Sequence, residues 1–261
     1  MEKLKVKGLI FDYGGTIDSA SVHWSEVLWK GYEHFQVPVT KEQFREAYVH
    51  GERTLAKHPL IKPEHNFLDL LRIKLDVETQ YLVENEMWQP SVIDMNEVVG
   101  IDGNAVVKGE SQQESVRKAF SDAIAHFCYN EVLEVLKVSR PVLKSLFDRF
   151  PMVLVSNFYG NINTILDDFD LPFFQEVVES AVVGVRKPDP RIFQLGVEAL
   201  GLAPQEVAVV GDSYSKDILP AKAVGCQTVW FKGIGWNDEQ PDGVAADVII
   251  DDFKQLEDLF V

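Results

Sequence analysis

The chain has 261 residues, 46 % hydrophobic and 25 % charged, so it can bury a sizeable core in one large domain or two modest ones. Its 41 acidic and 25 basic side chains give a formal net charge of −16, which disfavours nucleic acid and anionic membranes as partners. The two cysteines lie far apart, and we find no secretion signal or membrane span, so we expect a cytoplasmic protein.

The N-terminal segment predicts a buried strand that ends on an acid. Apolar residues dominate Val6 to Phe11, and Asp12 follows directly. The next residues, "YGGTID", place Gly14 and Gly15 where the chain is expected to turn. An acid before two glycines is, by itself, most often only a turn, so this segment needs support from the rest of the chain.

The segment from about residue 22 to 136 is predicted to be mostly helical. The stretches "SEVLWKGYEHF", "KEQFREAYVHGERTL" and "NFLDLLRIKLDVETQYLV" carry apolar and aromatic residues at helical spacing. The stretch "VVGIDGNAVVKGES" is typical of a loop, and "QESVRKAFSDAIAHF" predicts a further helix.

After Ser139 the pattern changes to alternating strands and helices. "RPVLKSLFDRF" predicts a short helix that begins at a proline, and "PMVLVSN" a strand. "EVVESAVVGV" is strand-like, "PRIFQLGVEALG" predicts a helix closed by glycine, and "KDILPAKAVG" a helix with an internal proline. "EVAVVGDS", "CQTVWF" and "ADVIID" predict strands. This alternation favours an α/β fold with a parallel sheet between two layers of helices.

The predicted core is therefore split along the sequence. Residues 1–17 and 140–261 are expected to form a Rossmann-like three-layer α/β core, and residues 18–139 a mostly helical insertion. Ligands of open α/β sheets bind beyond the carboxyl ends of the strands. The residues predicted at those ends are Asp12, Ser156 with Asn157, and Asp212.

These residue types together favour phosphate chemistry. Asp12 and Asp212 can share one Mg²⁺, which prefers carboxylates, water and substrate phosphate as ligands. Ser156 and Lys187, the latter in the loop "GVRKPDP", can hold the remaining phosphate oxygens. A carboxylate in line with phosphorus can act as nucleophile and form an aspartyl phosphate.

The four segments resemble, in order, the motifs of the haloacid dehalogenase (HAD) superfamily of hydrolases. They are "FDYGGT", "VLVSN", "GVRKPDPRIF" and "VVGDSYSKDI". The resemblance covers residues 1–18 and about 140–261, and it implies that the intervening segment is a helical cap. It also implies an Mg²⁺-dependent hydrolase of a small phosphorylated metabolite; it leaves the oligomeric state open.

The resemblance assigns roles residue by residue. The implied catalytic residues are Asp12, Ser156 and Lys187. The implied substrate-binding residues are Ser156, Asn157, Lys187 and Thr16. The implied metal ligands are Asp12, Gly14 through its carbonyl oxygen, Asp212 and Asp217.

Gly14 departs from the family pattern. Phosphatases of the family usually carry there a second aspartate that protonates the leaving alcohol. General acid–base catalysis contributes roughly 10²- to 10⁴-fold in rate, so good leaving groups should be favoured. Two alternatives stay open: a phosphonatase-like C–P hydrolase, for which Lys30 is the candidate Schiff-base lysine, and a degenerate binding or regulatory protein. A cap residue such as His23 is a further candidate for the missing acid.

Overall fold

The computed structural model describes residues 3–91, 111–235 and 244–261. The chain divides into two compact units, Met1–Trp24 with Val132–Val261, and Ser25–Glu131. We call them the sheet unit and the helical unit. The limits predicted for the insertion, 18–139, stay a prediction. The predicted loop at residues 98–111 lies outside the described residues except for its last residue.

The sheet unit is built on six parallel strands, as the alternating sequence pattern predicts. The strands are β1 (Gly8–Phe11), β2 (Met152–Ser156), β3 (Glu176–Glu179), β4 (Val207–Gly211), β5 (Gln227–Phe231) and β6 (Val248–Ile250). Their order across the sheet is β3-β2-β1-β4-β5-β6, and each neighbouring pair is parallel. The predicted Rossmann-like α/β fold is confirmed.

This strand order creates a switch point in the middle of the sheet. From β1 the chain builds outward through β2 and β3, and it then crosses to the other side of β1 with β4. Because ligands of open α/β sheets bind at such a point, beyond the carboxyl ends of the strands, the ends of β1 and β4 define the expected site.

The central strands are buried along their whole length. Every residue of β1, β2 and β4 is buried, which requires cover on both faces of the sheet. On one face Ile10, Val153 and Val209 form a cluster with Ile192 and Phe193 of a following helix. Strands held in this way fix the positions of the side chains at their ends.

The helices come in chain order as a separate set. They are α1 (Trp24–His34), α2 (Lys41–Lys57), α3 (Phe67–Glu84), α4 (Gln112–Phe147), α5 (Ile162–Asp168), α6 (Ser180–Val183), α7 (Arg191–Leu200), α8 (Leu219–Val224) and α9 (Gln255–Phe260). A 3₁₀ turn at Pro204–Glu206 and a π-helical turn at Tyr214–Ile218 complete the set. Across the described residues, none of the helices has both the length and the apolar character that a bilayer crossing needs.

The helix predicted to begin at Pro141 is not a separate element. Pro141 lies inside α4, which continues to Phe147. A proline inside a helix costs about 3 kcal/mol. The residues after it, Leu143 and Leu146, are fully buried at helical spacing, and each such side chain contributes roughly 1.5–3 kcal/mol. Burial of the following turn therefore offsets the proline.

Two other predicted elements also differ. The strand-like stretch "EVVESAVVGV" is divided: β3 ends at Glu179, and α6 forms one helical turn that ends at Gly184, whose φ of +70° is left-handed. The helix predicted with an internal proline has Pro220 in the first turn of α8, where its missing N–H costs nothing. Helix α7 ends at Gly201 as predicted.

The helical unit contains α1 apart from its first residue, α2, α3 and the first half of α4. Thr40 and Asn66 form reciprocal capping boxes that begin α2 and α3. Its interior also contains a buried carboxyl group, Glu78 of α3. Both Glu78 oxygens and the hydroxyl of the buried Tyr32 have no hydrogen-bond partner among the described residues. Burial, offset in part by Lys74, raises the pKa of Glu78 to about 8.

Candidate functional site

Two acids stand side by side beyond the ends of the central strands. Asp12 follows β1 and Asp212 follows β4, and the strands are paired so that Phe11 lies beside Val210. The Asp12 N–H donates to the carbonyl oxygen of Val210 at 3.0 Å, which continues the pairing by one residue. The sheet itself therefore brings the predicted acids together at the switch point.

Lys187 reaches into this site from the loop before α7. Its Nζ donates to Asp12 Oδ1 at 2.5 Å and to Asp217 Oδ1 at 2.7 Å, and it is buried. Asn157 holds the loop in place: its Oδ1 accepts from the Lys187 N–H at 2.8 Å, and its Nδ2 donates to the Lys187 carbonyl oxygen at 3.1 Å. The second strand end thus fixes the lysine through two backbone contacts.

Thr16 joins the two strand-end acids. Its hydroxyl lies 3.2 Å from Asp12 Oδ2 and 3.3 Å from Asp212 Oδ1, and it accepts from the Asp212 N–H at 3.0 Å. The residue is fully buried. This position suits a residue that orients the acids, and the contact with substrate that the resemblance implies for Thr16 stays a prediction.

Asp217 is held on both of its oxygens. Oδ1 accepts from Lys187, and Oδ2 accepts from the Ser213 N–H at 2.9 Å. It lies in the π-helical turn Tyr214–Ile218, which directs its buried side chain back toward β4. A Cβ at Gly211 would stand 2.6 Å from Asp217 Cγ, so the strand end must be glycine for this carboxylate to fit.

Ser156 ends β2, where the sequence predicts it. The residue is buried, and its hydroxyl makes no hydrogen bond to any residue in the described ranges. The hydroxyl is therefore available to a ligand, unlike the side chains of Asn157 and Thr16.

The site concentrates negative charge away from water. Burial raises the pKa of Asp12 to about 6; Lys187 lowers it, and Asp217 raises it further. Burial and the neighbouring Asp12 and Asp217 raise the pKa of Asp212 well above its ordinary value. Burial lowers the pKa of Lys187, but Asp12 and Asp217 outweigh that effect and raise it overall. One lysine thus faces three acids.

The three carboxylates suit a hard divalent cation. Asp12, Asp212 and Asp217 each offer one oxygen, and these atoms lie within 4.8 Å of one another. Oxygen ligands of this kind are typical of Mg²⁺ sites, and a cation would offset the charge that Lys187 leaves uncompensated.

The adjacent glycines Gly14 and Gly15 differ in whether the backbone requires a glycine. Gly15 has a φ of +96°, and a Cβ there would lie 2.6 Å from Asp212 Oδ1, so only glycine fits. Gly14 has no left-handed φ, and a Cβ there would meet Trp24 Cδ1 and Nε1 at 3.9 Å, an ordinary contact. The backbone would therefore accept a side chain at Gly14.

The sequence gives no role to Asp18 and Trp24, which complete this turn. Asp18 is buried; its Oδ1 accepts from the Gly15 N–H at 2.8 Å, and its Oδ2 accepts from Trp24 Nε1 at 3.0 Å. Burial raises the pKa of Asp18 to about 7, against the effect of the Gly15 and Trp24 hydrogen bonds. In the sequence, Asp18 stands out only as a second acid six residues after Asp12, and this spacing does not show that Trp24 is its partner.

His23 and Lys30, the two other residues considered for catalysis, lie just before α1 and within α1. The backbone N–H of His23, a half-buried residue, donates to the Ile234 carbonyl oxygen at 2.8 Å. Lys30 is an exposed residue of α1 in the helical unit.

The comparisons with known proteins agree on one family. The family model described as haloacid dehalogenase-like hydrolase matches residues 6–225. A phosphoserine phosphatase of Thermus thermophilus is 37 % identical over 83 residues, 32 % of this chain and 32 % of that protein. A glyceraldehyde 3-phosphate phosphatase of Pyrococcus furiosus is 46 % identical over 67 residues, 26 % of each chain. The chain thus aligns with about a quarter to a third of the length of these curated relatives.

A solved structure extends the similarity of fold to nearly the whole chain. The magnesium-bound HAD-hydrolase YfnB of Bacillus subtilis has a TM-score of 0.55 and 17 % sequence identity, and the match covers 97 % of this chain and 98 % of that one. At this identity the likeness establishes the fold alone.

Proposed function

Because the chain belongs to the haloacid dehalogenase-like hydrolase family, we propose that it is an Mg²⁺-dependent phosphohydrolase of small phosphorylated molecules. The observation that carries the proposal is the buried Lys187, bonded to Asp12 and Asp217 beside Asp212 at the switch point of the sheet. The relatives named as phosphatases of small phosphorylated metabolites support the substrate class.

In the proposed reaction Asp12 is the nucleophile. One of its carboxylate oxygens attacks phosphorus, the bond from phosphorus to the leaving oxygen breaks, and an aspartyl phosphate forms. Water then attacks phosphorus, releasing inorganic phosphate and restoring Asp12. Thr16 and Lys187 hold the carboxylate in one orientation throughout, which is the positioning that such an attack requires.

The remaining residues act on the phosphoryl group and on each other. Ser156, with its available hydroxyl, and Lys187 are proposed to hold the phosphoryl oxygens. Asn157 positions Lys187 through the loop backbone, and Asp217 anchors its ammonium group.

Four groups would hold the metal: the carboxylates of Asp12, Asp212 and Asp217 and the carbonyl oxygen of Gly14. When bound there, Mg²⁺ would offset the negative charge of the phosphoryl oxygens. We assign direct coordination first to Asp12 and Asp212, because they follow the paired ends of β1 and β4 at the switch point, and we assign Asp217 first to holding Lys187.

Gly14 sets the range of leaving groups. Without an acid at this position, the leaving oxygen departs with its electron pair and takes its proton from solvent. The lost contribution is roughly 10²- to 10⁴-fold, so acyl and aryl phosphates should be hydrolysed well and alkyl phosphates poorly. The proposal thus attributes the leaving-group preference of this chain to the missing carboxyl side chain at residue 14.

The test is turnover of acetyl phosphate and aryl phosphates with Mg²⁺ and with excess chelator. We expect activity only with the metal. Asp12→Asn, shown by circular dichroism to be folded, should lose turnover and the acid-stable phosphoenzyme. The control Asp189→Asn changes an acid that lies in the Lys187 loop and pairs with Arg191, and this variant should keep both. Wild-type rates in Asp12→Asn would refute the nucleophile, and full activity in chelator would refute the metal.

A further inference from the structure

The space beside Gly14 borders on an aromatic ring. A Cβ at residue 14 would lie 3.9 Å from both Cδ1 and Nε1 of the Trp24 indole. That distance is van der Waals contact. A group at the position of that Cβ therefore contacts the edge of the indole.

Asp18 holds this indole in a fixed position. The Trp24 N–H donates to Asp18 Oδ2 at 3.0 Å, while the other Asp18 oxygen accepts from the N–H of Gly15, the residue next to Gly14. Asp18 is 1 % exposed, so water does not compete for these bonds. One carboxyl group thus ties the ring to the turn that it borders.

The ring is fixed in a residue that is only partly buried. Trp24 is half-buried, and Asp18 accepts its N–H. Aromatic rings prefer offset-stacked or edge-to-face partners, and such pairs gain stabilisation beyond that of the area they bury. A ring held in place before binding provides this contact without a further cost of ordering it.

From this arrangement we propose that Trp24 determines leaving-group specificity by favouring an aromatic group beside the phosphorus atom, and that Asp18 is its positioning residue. The inference rests on the proposed function, since it assigns the leaving group of the same reaction. The substrate class it selects is an aryl phosphate, or a phosphate whose leaving group carries a planar ring next to the ester oxygen.

The experiment separates ring contact from leaving-group acidity. The aryl preference is the ratio of kcat/KM for phenyl phosphate to that for a fluorinated alkyl phosphate whose alcohol has matched acidity. We expect the wild type to prefer the aryl ester by about three- to tenfold, Trp24→Leu to abolish the preference and Trp24→Phe to keep part of it. The matched control is Trp29→Leu, a half-buried tryptophan of the same helix that packs against Phe44, which should keep the ratio.

Asp18→Asn tests the positioning role. Asparagine offers one oxygen to two N–H donors, so the indole loses its fixed position. The aryl preference should fall toward that of Trp24→Leu, while the affinity for inorganic phosphate should stay that of the wild type. A general loss of fold would lower both quantities together, which would contradict a positioning role.

A measurement of binding tests the inference without relying on turnover. The ratio of the dissociation constants of cyclohexylphosphonate and phenylphosphonate, measured by calorimetry with Mg²⁺, should show the same preference and the same loss in Trp24→Leu. An absence of turnover on every phosphate would refute the proposed function, and the binding ratio would then decide the role of Trp24 alone. A wild type without aryl preference, or a Trp24→Leu variant with the wild-type ratio, overturns the inference.

Discussion

Replacement of Lys187 by methionine should destabilise the protein far more than the same change at a surface lysine. Lys187 lies 2.5 Å from Asp12, and its side chain is 3 % exposed. Lys222 lies at the same distance from Asp247, but its side chain is 41 % exposed. Since these distances match, the two ion pairs differ in burial and in the second acid, Asp217, that Lys187 also contacts.

The expected magnitudes follow from that difference. Removal of one partner from a buried ion pair typically costs about 3–5 kcal/mol, because the other charge stays buried without compensation. An exposed pair contributes roughly 0–1 kcal/mol. Lys187→Met should therefore lower the free energy of unfolding by several kcal/mol relative to Lys222→Met.

The loss of unfolding free energy in Lys187→Met should also depend on pH, and the direction of this dependence shows whether the unpaired Asp12 carboxylate causes the loss. Lys187 lowers the pKa of Asp12, which is nevertheless about 6, so the pKa rises further without the lysine. A carboxyl group with a raised folded-state pKa stabilises the fold while it is protonated, and this stabilisation is lost as the pH rises through that pKa. The difference between wild type and Lys187→Met should thus be larger at pH 8 than at pH 5.

The assay is urea unfolding at pH 5 and pH 8 in chelator, on both variants and the wild type. If Lys187→Met is too unstable at pH 8, the pH 5 measurement still gives the comparison with Lys222→Met. A cost of Lys187→Met no greater than that of Lys222→Met at pH 8 would show that the buried ion pair is not what holds the site together.

Three further predictions test neighbouring parts of the molecule. Buried Glu78, with a pKa of about 8, contributes roughly 1.4 kcal/mol per pH unit to the fall of the unfolding free energy between about pH 5 and 8. Asp12 and Asp18 add to this fall at the lower end of that range, because burial raises their pKa values as well. Glu78→Gln should therefore reduce the slope in urea titrations by its own contribution, while the exposed control Glu84→Gln should leave the slope unchanged; a wild-type slope in Glu78→Gln would contradict the assignment. Gly15→Ala should cost at least roughly 1–2 kcal/mol from its φ of +96° and raise the Mg²⁺ concentration for half-maximal activity by displacing Asp212; a wild-type metal requirement would argue against that contact. A plot of log kcat/KM against leaving-group pKa should be steep for the wild type and flatter for Gly14→Asp, and a wild-type plot that is already flat would mean that another acid serves the reaction.

The parts of the fold that could be predicted are those fixed by local pattern. The apolar runs that lead to Asp12, Ser156 and Asp212 form strands, and the parallel pairing of these strands brings the three residues to one edge of the sheet. The helices α5 and α9 and the division of "EVVESAVVGV" were not predicted, because short amphipathic segments satisfy more than one periodicity. Pro141 misled the prediction, because the burial that offsets it is visible only once Leu143 and Leu146 are seen in the core.

The site shows the same division between pattern and contact. The resemblance supplied the residue types, and the structure adds the protein partners of Thr16 and Asn157, whose contact with substrate stays a prediction. The pairing of Asp18 with Trp24 could not be predicted, because it depends on how a turn folds back over six residues. Sequence spacing identifies the edge of the sheet where residues meet, and side-chain geometry decides which of them stay free for a ligand.

Gly14 and Gly15 show why a departure from a motif needs both kinds of information. In the sequence they are two adjacent glycines after an acid. In the structure Gly15 is required by its left-handed φ and by the Asp212 carboxylate, while neither constraint applies at Gly14. Since the backbone does not require glycine at residue 14, we look for the reason for this glycine in the chemistry of the site. Because the ring of Trp24 borders the Cβ position of residue 14, we propose that the departure at Gly14 reflects a change of leaving group, which Gly14→Asp and Trp24→Leu test independently.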